Sequence, residues 1–356
     1  MQTHRVALPV LGTLLLAACG GDGLVETAGL ECTIPSNELF AAAARNAIPA
    51  LTTPEVAPAA DSPLEDSDRV LGVVVDGEAR AYPFGLLWWH EIVNDTLGGE
   101  DILVTYCPLT GSGIAFDPNA GGQLRSFQVS GLLYRTNLTM IDRESGSLWN
   151  QMLLGSQCGV DRGTVLNRIP IVEADWGAWK TQYPSTTFVT SNTGFGNRPY
   201  FEYPYGSYAN PDNNFVDFLP SRVTWGNDLK TKELVLGVFE GTTASAYSLE
   251  RLAAQGDAVV ANDVVGSIPV AVTYRADGNV AVAFDRRVGG QTLTFDVTSA
   301  APFTMVDAET GSEWNSGGEA TMGTLAGEQL EPIDDAFVAF WFAWSIYYPT
   351  IEVVAF

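Results

Sequence analysis

Val70-Leu71-Gly72-Val73 returns later in the chain as Val235-Leu236-Gly237-Val238. Much of the sequence around it returns too. Ala81-Tyr82 recurs as Ala246-Tyr247 at an offset of 165, and Asn94-Asp95, Thr105-Tyr106 and Phe116-Asp117 recur at an offset of 168. Asp142 and Gly146-Ser147-x-Trp149-Asn150 reappear as Asp307 and Gly311-Ser312-x-Trp314-Asn315. Trp176, Trp179 and Tyr183-Pro184 reappear as Trp341, Trp344 and Tyr348-Pro349. The expected architecture is therefore two tandem modules, 68–195 and 233–356, joined by a crossover rich in Tyr, Pro and Asn over 196–232.

Within each module the dominant period is two. Leu293, Phe295 and Val297 alternate with Thr292, Thr294 and Asp296, the pattern of a half-buried strand. Val270–Tyr274 and Val280–Phe284 flank Asp277-Gly278, a strong hairpin signal. In the first module the corresponding turn reads Cys107-Pro108-Leu109-Thr110-Gly111, which puts Cys107 at a hairpin tip, where its thiol can face a cleft. Leu86–Ile92 reads as a short helix carrying His90, and Glu38–Asn46 as another in the N-terminal tail. Asp175–Gln182 and Asp335–Tyr347 read as amphipathic helices closing each module. The fold class is mainly β (α+β), two duplicated β-rich modules each closed by a short helix.

The compartment is read from the first residues. Arg5 precedes an apolar stretch, Val6–Ala18, too short to span a bilayer and shaped like a signal peptide. It ends in Leu16-Ala17-Ala18-Cys19, which resembles a bacterial lipobox, so 1–18 is expected to be removed and Cys19 lipidated. Residues 19–67 then form a tether and linker, and the membrane is a partner through a lipid anchor rather than a span. The expected location is extracytoplasmic, in the periplasm or at the cell surface. A net charge of −24 disfavours nucleic acid and anionic lipid surfaces.

Removing the leader leaves one histidine, His90, and three cysteines besides Cys19. One imidazole per chain excludes three-His zinc, two-His iron and blue-copper sites. An odd number of cysteines in an oxidising compartment points to one pair and one thiol. Cys32 in the tail and Cys158 in a Gly-rich segment are expected to pair, leaving Cys107 free.

A duplication also supplies an internal control, because reactive residues found in only one copy are candidates for function. His90 becomes Gln255, Glu91 becomes Gly256 and Cys107 becomes Arg275. The second module also lacks part of the Leu132–Tyr134 segment, since the offset falls back to 165 there, which adds Tyr134 and Arg135, the latter as an anion holder. Asn94, Asp95, Asp142 and Trp149 survive in both modules and read as structural.

Trp88-Trp89-His90-Glu91-Ile92-Val93-Asn94-Asp95, Tyr106-Cys107-Pro108-Leu109-x-Gly111, Ser130-Gly131-Leu132-Leu133-Tyr134 and Ser147-Leu148-Trp149-Asn150-Gln151 closely resemble the "domain of unknown function 3179" family. The resemblance covers most of 68–356. It implies a secreted or lipid-anchored protein with no established activity. Many members carry a second Cys three residues after the first, where this chain has Thr110, which weakens a dithiol role.

The expected site therefore centres on His90 and Cys107, with Glu91 to orient the imidazole. Such a pair can hold a soft or borderline metal, copper or zinc, with Met140 or Met152 as conceivable thioether ligands. Met140 has a counterpart in Met305 and reads better as core. The alternative is an enzyme in which Cys107 is the nucleophile and His90 the base. A purely structural surface lipoprotein is the third reading. Thr110-Gly111-Ser112-Gly113 lacks the spacing of a nucleophile elbow and reads as loop.

Overall fold

A computed structural model describes residues 30–196 and 198–356. The expected signal peptide and the lipidated Cys19 lie outside the described residues. The chain is mainly β. No helix among the described residues is long and apolar enough to cross a membrane.

Both halves carry their elements in the same order. In the first, the Arg69–Val75 and Glu78–Pro83 hairpin leads into a helix, Phe84–His90, and then a meander of Ile92–Leu97, Glu100–Cys107 and Ser112–Phe116. In the second, Leu234–Glu240 and Thr243–Ser248 lead into the helix Leu249–Gln255 and the meander Ala258–Val265, Ile268–Arg275 and Val280–Asp285. A further antiparallel sheet follows in each, built on Phe127–Tyr134 with Asn137–Asp142 and on Phe295–Ala300 with Phe303–Asp307. Late in each half a strand runs straight into a seven-residue helix, Trp176–Gln182 and Trp341–Tyr347, and a short strand follows, Thr187–Val189 and Glu352–Val353.

The residues common to both halves hold these sheets together. Asn94 exchanges two hydrogen bonds with the Phe127 backbone, 2.9 and 2.7 Å, and Asn262 does the same with Phe295, 2.8 and 2.9 Å. Tyr82 donates to Asp95 at 2.8 Å and Tyr247 to Asp263 at 2.7 Å. The Trp149 and Trp314 indoles donate to Asp142 and Asp307 at 2.8 and 2.9 Å. Gly72 and Gly237 leave room for the Trp179 and Trp344 rings, into which any Cβ would run. Met140 and Met305 are fully buried core residues.

The halves also grip each other reciprocally. The Asp175 N–H donates to Gly278 O at 3.0 Å, and the Phe340 N–H donates to Thr110 O at 2.9 Å. Each hairpin tip is thus held by the closing strand of the other half. One hydrophobic cluster runs through both, from Ile92, Cys107 and Met140 to Phe239, Phe337 and Trp344.

Some expectations for single elements change. Glu38–Asn46 is not a helix: a short 3₁₀ turn, Ser36–Glu38, is followed by the strand Leu39–Ala41, which pairs with Leu132–Tyr134. Edge pairing outweighs the helix propensity of the Ala-rich run. Asp335–Tyr347 divides into the strand Ala336–Phe340 and the helix Trp341–Tyr347. The helix that carries His90 stops at that residue, because Glu91 takes a left-handed conformation at φ 57°. Residues 198–232 form turns without helix or strand. Cys32 and Cys158 are joined by a disulfide, which fits an oxidising compartment.

Candidate functional site

His90 sits at the helix C-terminus with no exposed surface. Its Nδ1 lies 2.7 Å from Pro49 O, and its Nε2 2.7 Å from the Tyr200 hydroxyl. A carbonyl only accepts, so Nδ1 carries the proton and the Tyr200 O–H donates to Nε2. Burial pushes the imidazole down to about 4, the Pro49 carbonyl opposing and the Arg198 charge adding to it. His90 is a neutral tie between the N-terminal linker and the crossover, with both nitrogens engaged. A metal at Nε2 would have to displace Tyr200.

Cys107 pairs with Ser112 across the hairpin tip and is 1% exposed. Its thiol, 3.8 Å from Thr136 O, is pushed up to about 11 by burial and then by the nearby Glu91 charge. No hydrogen bond joins His90 to Cys107 among the described residues. The imidazole-activated thiol expected from the sequence is therefore not what the geometry provides. Burial acts on Cys107 first, and the nearby charge it feels is that of Glu91 rather than of His90.

Glu91 owes its position to the chain reversal at the end of the helix. Its N–H donates to Leu87 O and its carbonyl accepts from the Tyr106 N–H, both at 2.8 Å. Burial alone pushes its carboxyl up to about 8. The carboxyl makes no hydrogen bond or ion pair among the described residues, and it is an acid at neutral pH.

The crossover covers this corner. Tyr203 packs edge-on against Trp88, ring centroids 5.2 Å apart, and next to Tyr205. Tyr208 donates to Leu109 O at 3.0 Å. The Lys232 ammonium donates to Asn213 O and Phe215 O, both at 2.6 Å, and lies 4.1 Å from the Tyr208 ring centre. All three phenols are within electrostatic reach of Cys107, and burial raises each. Tyr203 OH is buried without a partner, as is the Trp89 indole N–H.

Beneath the hairpin tip lies a buried polar network. Asn137 Nδ2 donates to Thr110 Oγ1 at 2.9 Å and to Gln151 Oε1 at 2.8 Å, and its Oδ1 accepts from the Met152 N–H at 3.0 Å. Ser112 donates to Gln151 Oε1 at 2.7 Å, and Gln151 Nε2 donates to Thr105 Oγ1 at 2.9 Å. Low local dielectric makes such a network rigid when every member is satisfied. It fixes the loop that presents Cys107. Reading Thr110–Gly113 as a plain loop missed it. The signal was available, since Gln151 stands opposite Ser316 and Ser112 opposite Val280.

Tyr134 and Arg135 stand at the adjoining hairpin. Arg135 and Thr136 are both left-handed, φ 46° and 72°. That conformation is unusual for any residue with a Cβ and more so for a β-branched one. Thr136 is held by donating to Asp217 O at 2.7 Å, and Arg135 reaches the buried Glu38, which Arg222 also contacts. Glu38 already takes up the Arg135 charge, so Arg135 is a structural clamp rather than a free anion holder. Met152 is buried in the core. Among the described residues no group of three or more His, Cys, Asp or Glu side chains is placed to hold a metal ion.

Nothing among the curated proteins or the solved structures matches the chain. A family model described as "Protein of unknown function (DUF3179)" matches residues 45–351, taking in the helix of His90, the Cys107 hairpin, the crossover and nearly all of the second half, and the chain belongs to that family.

Proposed function

We propose that the chain is an extracytoplasmic, lipid-anchored binding protein, descended from a duplication, whose first half holds a small polar ligand beside Glu91 and Cys107 under the tyrosine-rich crossover. The observation that carries this reading is the Tyr203 hydroxyl, buried without a hydrogen-bond partner among the described residues, in the crossover that packs over the Glu91–Cys107 corner. Buried polar groups are almost always hydrogen-bonded, and exceptions call for an explanation such as a ligand or ion. The neutral Glu91 acid and Tyr203 can each both donate to and accept from a guest. The left-handed Arg135-Thr136 turn adds support, because backbone strain of this kind clusters at functional sites. Leu16–Cys19 and the disulfide support the location.

A second reading, a copper or zinc ion taken up as cargo, is favoured by the proximity of Cys107 to Glu91. A metal would displace the protons of both, so its uptake would rise with pH. Catalysis by a Cys107 thiolate would first require the thiol to lose the proton that burial holds on it.

Native mass spectrometry and elemental analysis test the proposal on protein exported to an oxidising periplasm and purified without chelator. One small-molecule adduct per chain, lost in Glu91→Gln combined with Tyr203→Phe, is the expected result. A metal lost in Cys107→Ser would replace it with the second reading. A bare chain mass in the wild type overturns both.

A further inference from the structure

A second site lies between the halves, away from the Cys107 corner. A cleft of about 580 Å³ has Ile171, Trp179 and Tyr183 of the first half on one wall and Val282 and Phe284 of the second on the other. That volume is in the range of small-molecule pockets. The walls are mostly apolar, and one cation stands among them, Arg275.

Arg275 ends the strand Ile268–Arg275, directly opposite Val280 across the hairpin. It is half-buried, yet its guanidinium forms no hydrogen bond or ion pair among the described residues. A guanidinium has five N–H donors in a planar fork, and taking it out of bulk water unpaired is costly. Asp277 and Tyr183 are the groups whose charges it feels. Two polar groups of the first half, Gln182 and Tyr183, line the same space. Gln182 Oε1 is taken by the Ser316 hydroxyl at 2.6 Å, which leaves its Nε2 as a donor. The Tyr183 hydroxyl makes no hydrogen bond among the described residues. Glu319 and Glu331 also line the cleft, so a dianion would be disfavoured where a monoanion is tolerated.

We propose that this cleft binds a small organic monocarboxylate with an apolar body, its carboxylate forked by Arg275 and its hydrocarbon part lying between the two halves. The position that holds the free thiol in the first half would then hold the ligand's counter-charge in the second. Unequal hairpin tips would give one chain two different binding sites.

Calorimetric titration of the full chain with octanoate tests this, with octan-1-ol as an uncharged probe of the same length. The expected result is saturable binding of one octanoate per chain, weakened at least about tenfold in Arg275→Gln and for octan-1-ol. Arg275→Lys keeps the charge and loses the fork, so it should fall between Arg275→Gln and the wild type, which serves if Arg275→Gln does not fold. No saturable octanoate binding at about 1 mM, equal binding of octan-1-ol, or binding indifferent to both Arg275 variants overturns the proposal.

Discussion

The two hairpin tips occupy equivalent places and are built in opposite ways. In the second half, Arg275 and Val280 are bridged by an Asp277-Gly278 turn whose Gly278 packs against Ala178. In the first half, Cys107 and Ser112 enclose Pro108 to Gly111, with a network of buried amides and hydroxyls beneath and tyrosines above. The second tip closes a strand pair. The first buries a hydrogen-bonded polar network, which rigidifies the tip when its members are satisfied. What they share is structural, down to matching Asn–backbone and Trp–Asp bonds.

The largest expected effect comes from breaking the network that only the first half has. Asn137→Leu strands the Met152 N–H and takes one donor each from Thr110 and Gln151, which keep their bonds to Ser112, and should cost about 3 kcal/mol in urea denaturation. A loss under about 1 kcal/mol would mean that the tip does not depend on the network.

A comparable effect, of opposite sign, is expected at Glu91. Its folded pKa of about 8 lies above the ordinary value of 4.5, so its proton favours the fold at low pH. That contribution is fully present below about pH 4.5 and is lost as pH rises through about 8. Glu91→Gln should therefore be more stable than wild type at pH 7 by about 3 kcal/mol, with the gap closing near pH 4. Parallel stability–pH curves for the two proteins would show that the carboxyl is already ionised in the fold.

The finest comparison uses one residue type in both tips. Thr105 donates to Ile114 O at 2.7 Å and accepts from Gln151, whereas Thr273 only donates to Val282 O, at 3.3 Å. Thr105→Val should cost about 1–2 kcal/mol and Thr273→Val about 0.5. Equal losses would remove the distinction between the halves at this position.

The meanders and hairpins were legible in the sequence because their signals are local: alternation in Leu293–Val297, and Asp277-Gly278 between apolar runs. The strand Leu39–Ala41 was not, because its reason to be extended is an edge far along the chain, at Leu132–Tyr134. Ala336–Phe340 was read as helix because all five of its residues are buried, and a continuous apolar run has no period. At the site, the absence of Cys107 and Glu91 from the matching places of the second half named two residues that the fold brings together. His90 is absent there in the same way but serves to tie Pro49 to Tyr200. Residues that only one half carries are not thereby in contact with one another. Asn137 and Gln151 escaped notice because amides within β-rich sequence reveal themselves only once the register is known.

The bonds from Asp175 to Gly278 and from Phe340 to Thr110 make each half the missing rim of the other. An isolated half would expose an unsatisfied tip and an apolar edge, so the two should behave as complementing fragments if the backbone were cut within 198–232. Shortening that segment until the halves cannot reach each other would leave the grip to be made between chains, with two molecules interlocked by the contacts that one now makes within itself.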